Sequence, residues 1–302
     1  MEPSSDVELM EKLKGVYTAQ VTPFTKDYEL DEETLRNHVN YLIQCGMHGL
    51  VTTAGCGEFV NLSDDERKRV LEVTIEEAEG RVPVIMGVLS ISKRHALSLI
   101  KFAKKTGADG ALVPPPYYIK PSVEGVYTYF KELAEESGLP IILYNIPGRT
   151  GINLDPDLVR RLVDVKGIVG LKECNRDLMH FCEVVRAGGE KFSVLAGDDD
   201  YLYGGLLHGA KGAIMAGSNL APDASLKIYE EFCKGNIDEA RKAHFRLLPL
   251  IKAWLIQNHP GPLKEGMAMV GRPVGPARKP LHPMTDKERA TLREALKGLG
   301  ML

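Results

Sequence analysis

The chain has 302 residues, of which 44% are hydrophobic and 26% charged, and its formal net charge is −3 at pH 7. These values are ordinary for a globular enzyme with a sizeable core, and the length fits one α/β barrel or two small domains. The small negative charge argues against nucleic acid or an acidic membrane as the main partner, and the chain shows neither an apolar run of ~18 residues nor a signal-like N-terminus.

Short apolar, β-branched segments alternate with longer amphipathic or charged stretches. They predict eight strands, at residues 16–21, 49–53, 82–88, 110–113, 141–145, 168–172, 192–196 and 212–216. Helices are predicted to begin at Asp31, Ser63 and Ser122, which are capping residues at the start of stretches that close at a glycine. Eight alternations with short loops predict a closed (β/α)8 TIM barrel, and the alternative is an open doubly wound sheet.

After the eighth strand the pattern becomes helical, with helices predicted at residues 224–234, 237–256, 262–270 and 286–297. The Pro- and Gly-rich stretch 271–283 is interpreted as an extended connector. We therefore predict a catalytic barrel of residues 1–225 and a C-terminal helical region of residues 226–302 packed on the barrel.

Lys172 is the only basic side chain in the apolar stretch IVGLKE, where the sixth strand is predicted to end. Burial there disfavours the ammonium form and leaves a lone pair for attack on a carbonyl carbon, so Lys172 is a candidate Schiff-base nucleophile. The active sites of such barrels lie at the carboxyl ends of the strands, and the neighbouring fifth strand ends at Tyr144. A phenol beside the lysine can relay protons as a carbinolamine forms and collapses.

The second strand runs into the sequence TTAGCGEF. Gly55 and Gly57 free the backbone to turn its N–H groups inward, which makes a nest for the carboxylate of a 2-oxo acid. Gly55, Cys56 and Gly57 are therefore candidate substrate-binding residues.

The other polar residues that could carry chemistry are better interpreted as structural. The run Asp198, Asp199 and Asp200 opens YLYGGLLHG and predicts a helix cap more than a metal site. The eight histidines show no HExxH pattern, which disfavours a metal-dependent aldolase, and 217–219 is interpreted as a turn. Five cysteines without a CxxC pair predict free thiols in a reducing cytoplasm, with Cys56 a small, partly buried thiol. We expect neither a metal nor a cofactor.

Five motifs follow one another along the chain. They are the loop at 55–58, PYYIKP at 116–121, YNIPGRTG at 144–151, GLKE at 170–173 and GDD at 197–199. In this order and spacing they resemble the dihydrodipicolinate synthase / N-acetylneuraminate lyase family of class I aldolases, and PGPLKEGMAMVG resembles the family's carboxyl-terminal region. The resemblance implies that Lys172 forms an imine with pyruvate or another 2-oxo acid and that Tyr144 is the acid–base phenol.

The resemblance also implies further roles. Tyr118 resembles the tyrosine that the family inserts into a neighbouring subunit's active site, which implies a homodimer as the smallest functional unit, with a homotetramer of two such dimers as the alternative assembly. Arg149 matches the arginine that holds a carboxylate of the second substrate in the synthase branch. Gly197 and Ile214 match positions that line the pocket around the bound keto acid.

The second-strand loop departs from the family pattern. Synthase members usually carry Thr-Thr and lyase members Ser-Thr where this chain has Gly55 and Cys56. Glycine does not replace the first hydroxyl, and a thiol is only a weak donor in place of the second. The loop also resembles the GGTGEF loop of keto-deoxy-sugar-acid dehydratases.

These patterns together predict a class I lyase that condenses a 2-oxo acid with an aldehyde, as a dihydrodipicolinate synthase does. A keto-deoxy sugar acid aldolase or dehydratase of the same family is the alternative within this chemistry. A catalytically silent barrel that only binds a 2-oxo acid is the alternative from another class.

Overall fold

A computed structural model describes residues 5–302, in which eight strands close into a barrel in chain order. The strands are β1 (Gly15–Ala19), β2 (Gly49–Thr52), β3 (Val84–Gly87), β4 (Gly110–Val113), β5 (Ile141–Asn145), β6 (Ile168–Glu173), β7 (Ser193–Ala196) and β8 (Gly212–Met215). Every residue of these strands is buried, which explains why they read as continuous apolar runs. The predicted (β/α)8 barrel is confirmed, and the open sheet is wrong.

The predicted strands overlap the observed ones, with small shifts at their ends. β1 ends at Ala19 because the N–H of Val21 bonds to the side chain of Asn219, 3.0 Å away, rather than to a neighbouring strand. β6 continues to Glu173, which pairs with Asn145 on β5 and Ala196 on β7.

The helices alternate with these strands along the chain, and the last four follow β8. They are α1 (Ser5–Lys12), α2 (Glu32–Gln44), α3 (Asp64–Ala78), α4 (Lys93–Thr106), α5 (Val123–Ser137), α6 (Pro147–Thr150), α7 (Pro156–Val163), α8 (Leu178–Gly188), α9 (Leu202–Leu207), α10 (Pro222–Cys233), α11 (Ile237–Trp254), α12 (Gly261–Met269) and α13 (Asp286–Leu299). The predicted C-terminal helices are α10 to α13, and the predicted connector, residues 271–283, contains neither helix nor strand and turns at residues 279–280. None of the helices in residues 5–302 is long and apolar enough to cross a membrane.

The predicted amino-terminal caps are present. The side chains of Asp31, Ser63 and Ser122 each accept a backbone N–H in the first turn of α2, α3 and α5. The end of α3 differs from the prediction, because Glu79 itself adopts the left-handed conformation, with φ 49°, before Gly80.

The predicted helix cap at residues 198–200 is wrong. Asp198 precedes a 3-10 turn, but its side chain makes no capping hydrogen bond. Arg176, from the loop after β6, instead lies 3.6 Å from the Asp198 carboxylate and 3.0 Å from that of Asp200. The guanidinium charge therefore orients these carboxylates in place of the helix terminus.

The chain forms two compact units, and the first contains the residues up to Gly15 together with Pro83–Ile214. Within it, β3 to β8 pair successively in parallel. Two glycines let the segment that follows α1 approach this sheet. A Cβ at Gly170 would lie 2.6 Å from Leu13, and one at Gly212 would lie 1.9 Å from the Gly15 carbonyl oxygen. A larger residue at 212 would collide with the backbone of this segment, and one at 170 would collide with the Leu13 side chain and with the Ser193 carbonyl.

The second unit contains Val16–Val82 and Met215–Leu302. It includes the β1–β2 pair, in which Tyr17 lies opposite Gly49 and its ring occupies the space that a Cβ on Gly49 would need. The predicted division at residue 225 stays a prediction, and residues 1–4, which it assigns to the barrel, lie outside the described residues.

The second unit buries a histidine that should make folding sensitive to acid. His38 bonds through Nε2 to Asn219 Oδ1 at 2.9 Å, and burial lowers the pKa of His38 to about 4. Between pH 6.5 and 4 the unfolded chain therefore binds a proton that the folded chain excludes, so stability falls as pH falls. Over this pH range the protonation of His38 should lower the free energy of unfolding by roughly 3 kcal/mol.

Urea unfolding between pH 7 and pH 4 measures this effect. In the control His38→Gln, the side-chain amide can donate to Asn219 without titrating, so this variant should lose less stability over the same range. Parallel pH dependence in both proteins would contradict the prediction.

Candidate active site

Lys172 and Tyr144 lie side by side at the carboxyl ends of β6 and β5. They are register partners in the parallel pair, and the Lys172 amine lies 3.5 Å from the Tyr144 hydroxyl and 4.5 Å from its ring centroid. Both side chains are buried, with 5% and 6% of their surface exposed. The structure thus brings together the two residues that the sequence selects as nucleophile and acid–base group.

A polar cluster directly beyond this pair holds the two strand ends together. The buried carboxylate of Glu173 accepts hydrogen bonds from the Asn145 amide at 2.9 and 3.0 Å, and it lies 3.2 Å from His180 Nε2. Because Asn145 follows Tyr144 and Glu173 follows Lys172, this bridge fixes the strand residues that carry the reactive groups. Sequence reasoning missed it, although the YN and KE pairs in the two motifs were the available signal.

Two more titratable groups interact electrostatically with Lys172. Burial raises the pKa of the Cys174 thiol, and the charge of Lys172 partly opposes this effect. Burial likewise raises the pKa of Asp198, while Arg176 and Lys172 act to lower it. The buried Lys172 therefore interacts with two acids, Cys174 and Asp198, whose raised pKa values favour their neutral forms.

Gly197 and Ile214 are predicted to line the keto-acid pocket. Gly197 directly follows β7, and Ile214 lies within β8. A Cβ at Gly197 would lie 2.2 Å from Cys174 Sγ and 2.9 Å from the Glu173 carbonyl oxygen. Packing against β6 therefore requires glycine at 197. Ile214 is completely buried, and the pocket-lining role of both residues stays a prediction.

Arg149 and Tyr118 lie outside the buried pair. Arg149 is an exposed residue of α6, the short helix after β5. Tyr118 follows β4, has a left-handed φ of 77° and is 88% exposed. Within one chain, then, neither side chain is part of the buried centre around Lys172.

The loop after β2 belongs to the second unit. Its two ends, Thr53 and Glu58, adopt left-handed conformations with φ 47° and 56°, and Cys56 between them is buried. A Cβ at Gly57 would lie 2.9 Å from the backbone of Thr53, so the tight turn requires glycine there. The left-handed residues are thus Thr53 and Glu58 rather than Gly55 or Gly57, and the predicted nest of inward N–H groups stays a prediction.

A buried ion pair holds the end of this loop. Lys264 Nζ lies 2.6 Å from Glu58 Oε1, and both side chains are almost completely buried. Burial lowers the pKa of Lys264 to about 8, although the Glu58 charge acts to raise it. Sequence reasoning missed this pair, since the two residues are far apart in the chain and only the likeness of PGPLKEG to the family's tail marked Lys264.

Known proteins resemble this chain over nearly its whole length. Residues 12–299 match the sequence model of the dihydrodipicolinate synthetase family. A 4-hydroxy-tetrahydrodipicolinate synthase from Syntrophus aciditrophicus is 41% identical over 289 residues, covering 96% of this chain and 99% of the relative. The predicted family is therefore confirmed at the level of sequence.

Solved structures give the same result. The dihydrodipicolinate synthase of Thermotoga maritima has a TM-score of 0.93 at 37% identity, covering 96% of this chain and 99% of that one. The chloride-inhibited dihydrodipicolinate synthase of Acinetobacter baumannii, complexed with pyruvate, also has a TM-score of 0.93, at 34% identity over 96% and 100% of the two chains. Sequence and fold together show that this chain belongs to the dihydrodipicolinate synthetase family.

Proposed function

We propose that the protein is a class I lyase that condenses pyruvate, or a related 2-oxo acid, with an aldehyde through an imine on Lys172. The observation that carries the proposal is the buried Lys172 amine 3.5 Å from the Tyr144 hydroxyl. The predicted lyase class agrees with the names of the relatives, which are 4-hydroxy-tetrahydrodipicolinate synthases. Small molecules are therefore the substrates.

The chemistry follows from an amine beside a phenol. The neutral Lys172 amine attacks C2 of the 2-oxo acid, and the resulting carbinolamine loses water when the phenol of Tyr144 donates a proton to the departing hydroxyl. The protonated imine then acidifies the adjacent methyl, which gives a proton to the phenolate that Tyr144 has become, and an enamine forms. The enamine carbon adds to the aldehyde carbon while the Tyr144 phenol returns that proton to the aldehyde oxygen, and water finally hydrolyses the imine, which releases the product and regenerates the amine.

The remaining predicted site residues have binding roles in this proposal. The loop of Gly55, Cys56 and Gly57 holds the carboxylate of the 2-oxo acid through its backbone N–H groups. Arg149 holds a carboxylate of the second substrate, for which its exposed guanidinium is suited.

Borohydride reduction in the presence of pyruvate tests the central step. Reduction converts an imine to a stable secondary amine, so peptide mass spectrometry should find the pyruvate-derived adduct on Lys172 and on no other lysine. A protein without this adduct would not be a class I lyase of pyruvate. The remaining hypothesis would then be a catalytically silent barrel that only binds a 2-oxo acid.

A keto-deoxy sugar acid aldolase or dehydratase is the second candidate. It is favoured by one observation, the AGCGEF loop, in which Gly55 leaves space that a hydroxyl side chain would fill. Turnover of pyruvate with aspartate semialdehyde supports the synthase. If the Lys172 adduct forms but only keto-deoxy sugar acids are consumed, the second candidate replaces it.

We also propose that two subunits complete each active site. Tyr118 and the neighbouring Ile119 are 88% and 81% exposed, which is unusual for side chains of this size and suits a surface covered by a second copy. In the proposed dimer, Tyr118 of one subunit serves the proton transfers of the other. Pairing of dimers into a tetramer is the further arrangement that the family resemblance suggests.

Mixed dimers test the role of Tyr118. We expect Tyr118→Phe to lower turnover by about 10²-fold while imine formation changes much less, because the phenol serves the later proton transfers. Unfolding and refolding this variant together with Lys172→Met should restore activity, since one site of each hybrid then has both groups. Equal loss of turnover and imine formation, or no recovery on mixing, would count against the role.

We further propose a cytoplasmic location. None of the five cysteines forms a disulfide in the described residues, and a reducing compartment maintains that state. Fractionation of the native cells with an antibody to the protein tests this location.

A further inference from the structure

Gly55 differs from the other glycine of the loop in what surrounds it. A Cβ at Gly57 would collide with backbone, whereas the only described heavy atom outside residues 54–56 within 4 Å of a Cβ at Gly55 is Nε2 of His259, 3.7 Å away. The φ of Gly55 also lies outside the left-handed region. Neither conformation nor crowding by the backbone therefore requires glycine at 55, and the space beside it is bordered by an imidazole.

The position of His259 relative to the loop is set by the segment that follows it. This half-buried residue precedes α12, where the Lys264 N–H bonds to the Pro260 carbonyl at 2.9 Å. The same Lys264 forms the 2.6 Å ion pair with Glu58 at the end of the loop. The segment thus lies against the loop at two places, beside Gly55 and at Glu58.

The loop presents donors and keeps its acceptors occupied. The carbonyl of Gly55 accepts from Glu58 N–H at 3.2 Å, and that of Gly57 accepts from the Thr22 hydroxyl at 2.8 Å. In contrast, the N–H groups of Gly55 and Gly57 donate to no acceptor in residues 5–302. Such a set of backbone donors suits an anion.

The one carboxylate of the loop is neutralised by other groups. Glu58 Oε1 pairs with Lys264, and Oε2 accepts from the Arg278 N–H at 2.8 Å. Its charge is thereby compensated and does not strongly oppose a second carboxylate nearby. An imidazole N–H at this place adds a side-chain donor stronger than the thiol of Cys56.

From these contacts we infer that His259 is a further substrate-binding residue, whose Nε2–H donates to the carboxylate of the 2-oxo acid held by the loop. This inference rests on the proposed function and assigns to that site a side chain from the turn between α11 and α12. The imidazole then supplies a side-chain donor beside Gly55, where the loop itself has no side chain. It makes the site selective for 2-oxo acids over ketones without a carboxylate.

Adduct formation with two ketones tests the inference. Pyruvate and hydroxyacetone, which has no carboxylate, are titrated against the protein, and the Lys172 adduct is trapped with borohydride and quantified. For His259→Ala we expect the half-saturating pyruvate concentration to rise about 10- to 100-fold, the effect of losing a hydrogen bond to a charged group. The value for hydroxyacetone should change by less than about threefold, well below the effect of that hydrogen bond.

Two further variants separate binding from a structural effect. His259→Gln places an amide N–H near the position of Nε2 and should keep most of the affinity for pyruvate. Asn258→Ala changes the exposed neighbour in the same turn and should match the unchanged protein.

The outcomes are distinguishable. No adduct in the unchanged protein overturns the proposed function and this inference with it. A normal adduct in the unchanged protein, together with equal losses for both ketones or no loss in His259→Ala, overturns the role of His259 alone.

Discussion

Lys172→Met is expected to lower turnover by at least about 10⁴-fold, which corresponds to about 5.5 kcal/mol of transition-state stabilisation. The thioether has no nucleophilic amine, so the covalent path is closed, while its linear shape fills most of the space of the buried lysine. Steady-state kinetics at saturating pyruvate and aldehyde measure the loss. The borohydride adduct should disappear in parallel, because both depend on the same nitrogen.

Lys166→Ala is the matched control for this variant. Lys166 is an exposed lysine that lies shortly before β6, and removing its charge should leave turnover and the adduct unchanged. Thermal unfolding of Lys172→Met should show a folded protein. Residual turnover within tenfold of the unchanged protein would exclude Lys172 as the imine-forming residue.

Lys264→Met is expected to destabilise the protein by about 3–5 kcal/mol. The variant removes the cation 2.6 Å from the Glu58 carboxylate and leaves that charge buried without its main partner. The lost contacts of Nζ with the Pro276 carbonyl, at 3.1 Å, and with the Phe24 ring add to the effect. Urea unfolding at pH 7 measures the change in free energy.

Two comparisons isolate the buried charge. The double variant Glu58→Gln with Lys264→Met leaves no unpaired charge and should recover a large part of the stability. Lys242→Met removes an exposed lysine from its 2.7 Å pair with Glu239 in the same unit and should change the free energy of unfolding far less, because water screens a surface pair. If Lys264→Met and Lys242→Met are equally stable, the buried ion pair contributes no more to the free energy of unfolding than the surface pair does.

The sequence was sufficient for the barrel and for its central pair because both depend on local patterns. Buried parallel strands appear as short apolar runs, and a lysine at the end of such a run is conspicuous. Tyr144 is placed beside Lys172 by strand order alone. The helix caps at Ser63 and Ser122 are likewise local, since a capping side chain reaches only the next turn.

The groups that the sequence did not reveal are held by contacts between distant segments. Lys264 meets Glu58 across most of the chain, and nothing near either residue marks the other. The cap predicted at Asp198 failed for the same reason, since the competing Arg176 comes from another loop. His259 illustrates the limit most clearly, because the missing side chain at Gly55 is visible in the sequence but the neighbouring imidazole is not.

The division of the chain between the two units has a consequence for the order of biosynthesis. The ribosome makes all of the first unit by residue 214, whereas the second unit joins residues 16–82 to residues after 214. Because chain segments fold as they emerge, the strands that carry Lys172 and Tyr144 can pair while the loop after β2 still awaits Lys264. Translation that stalls before α12 would therefore release a chain whose Glu58 has no buried cation, which makes it a natural substrate for quality-control proteases.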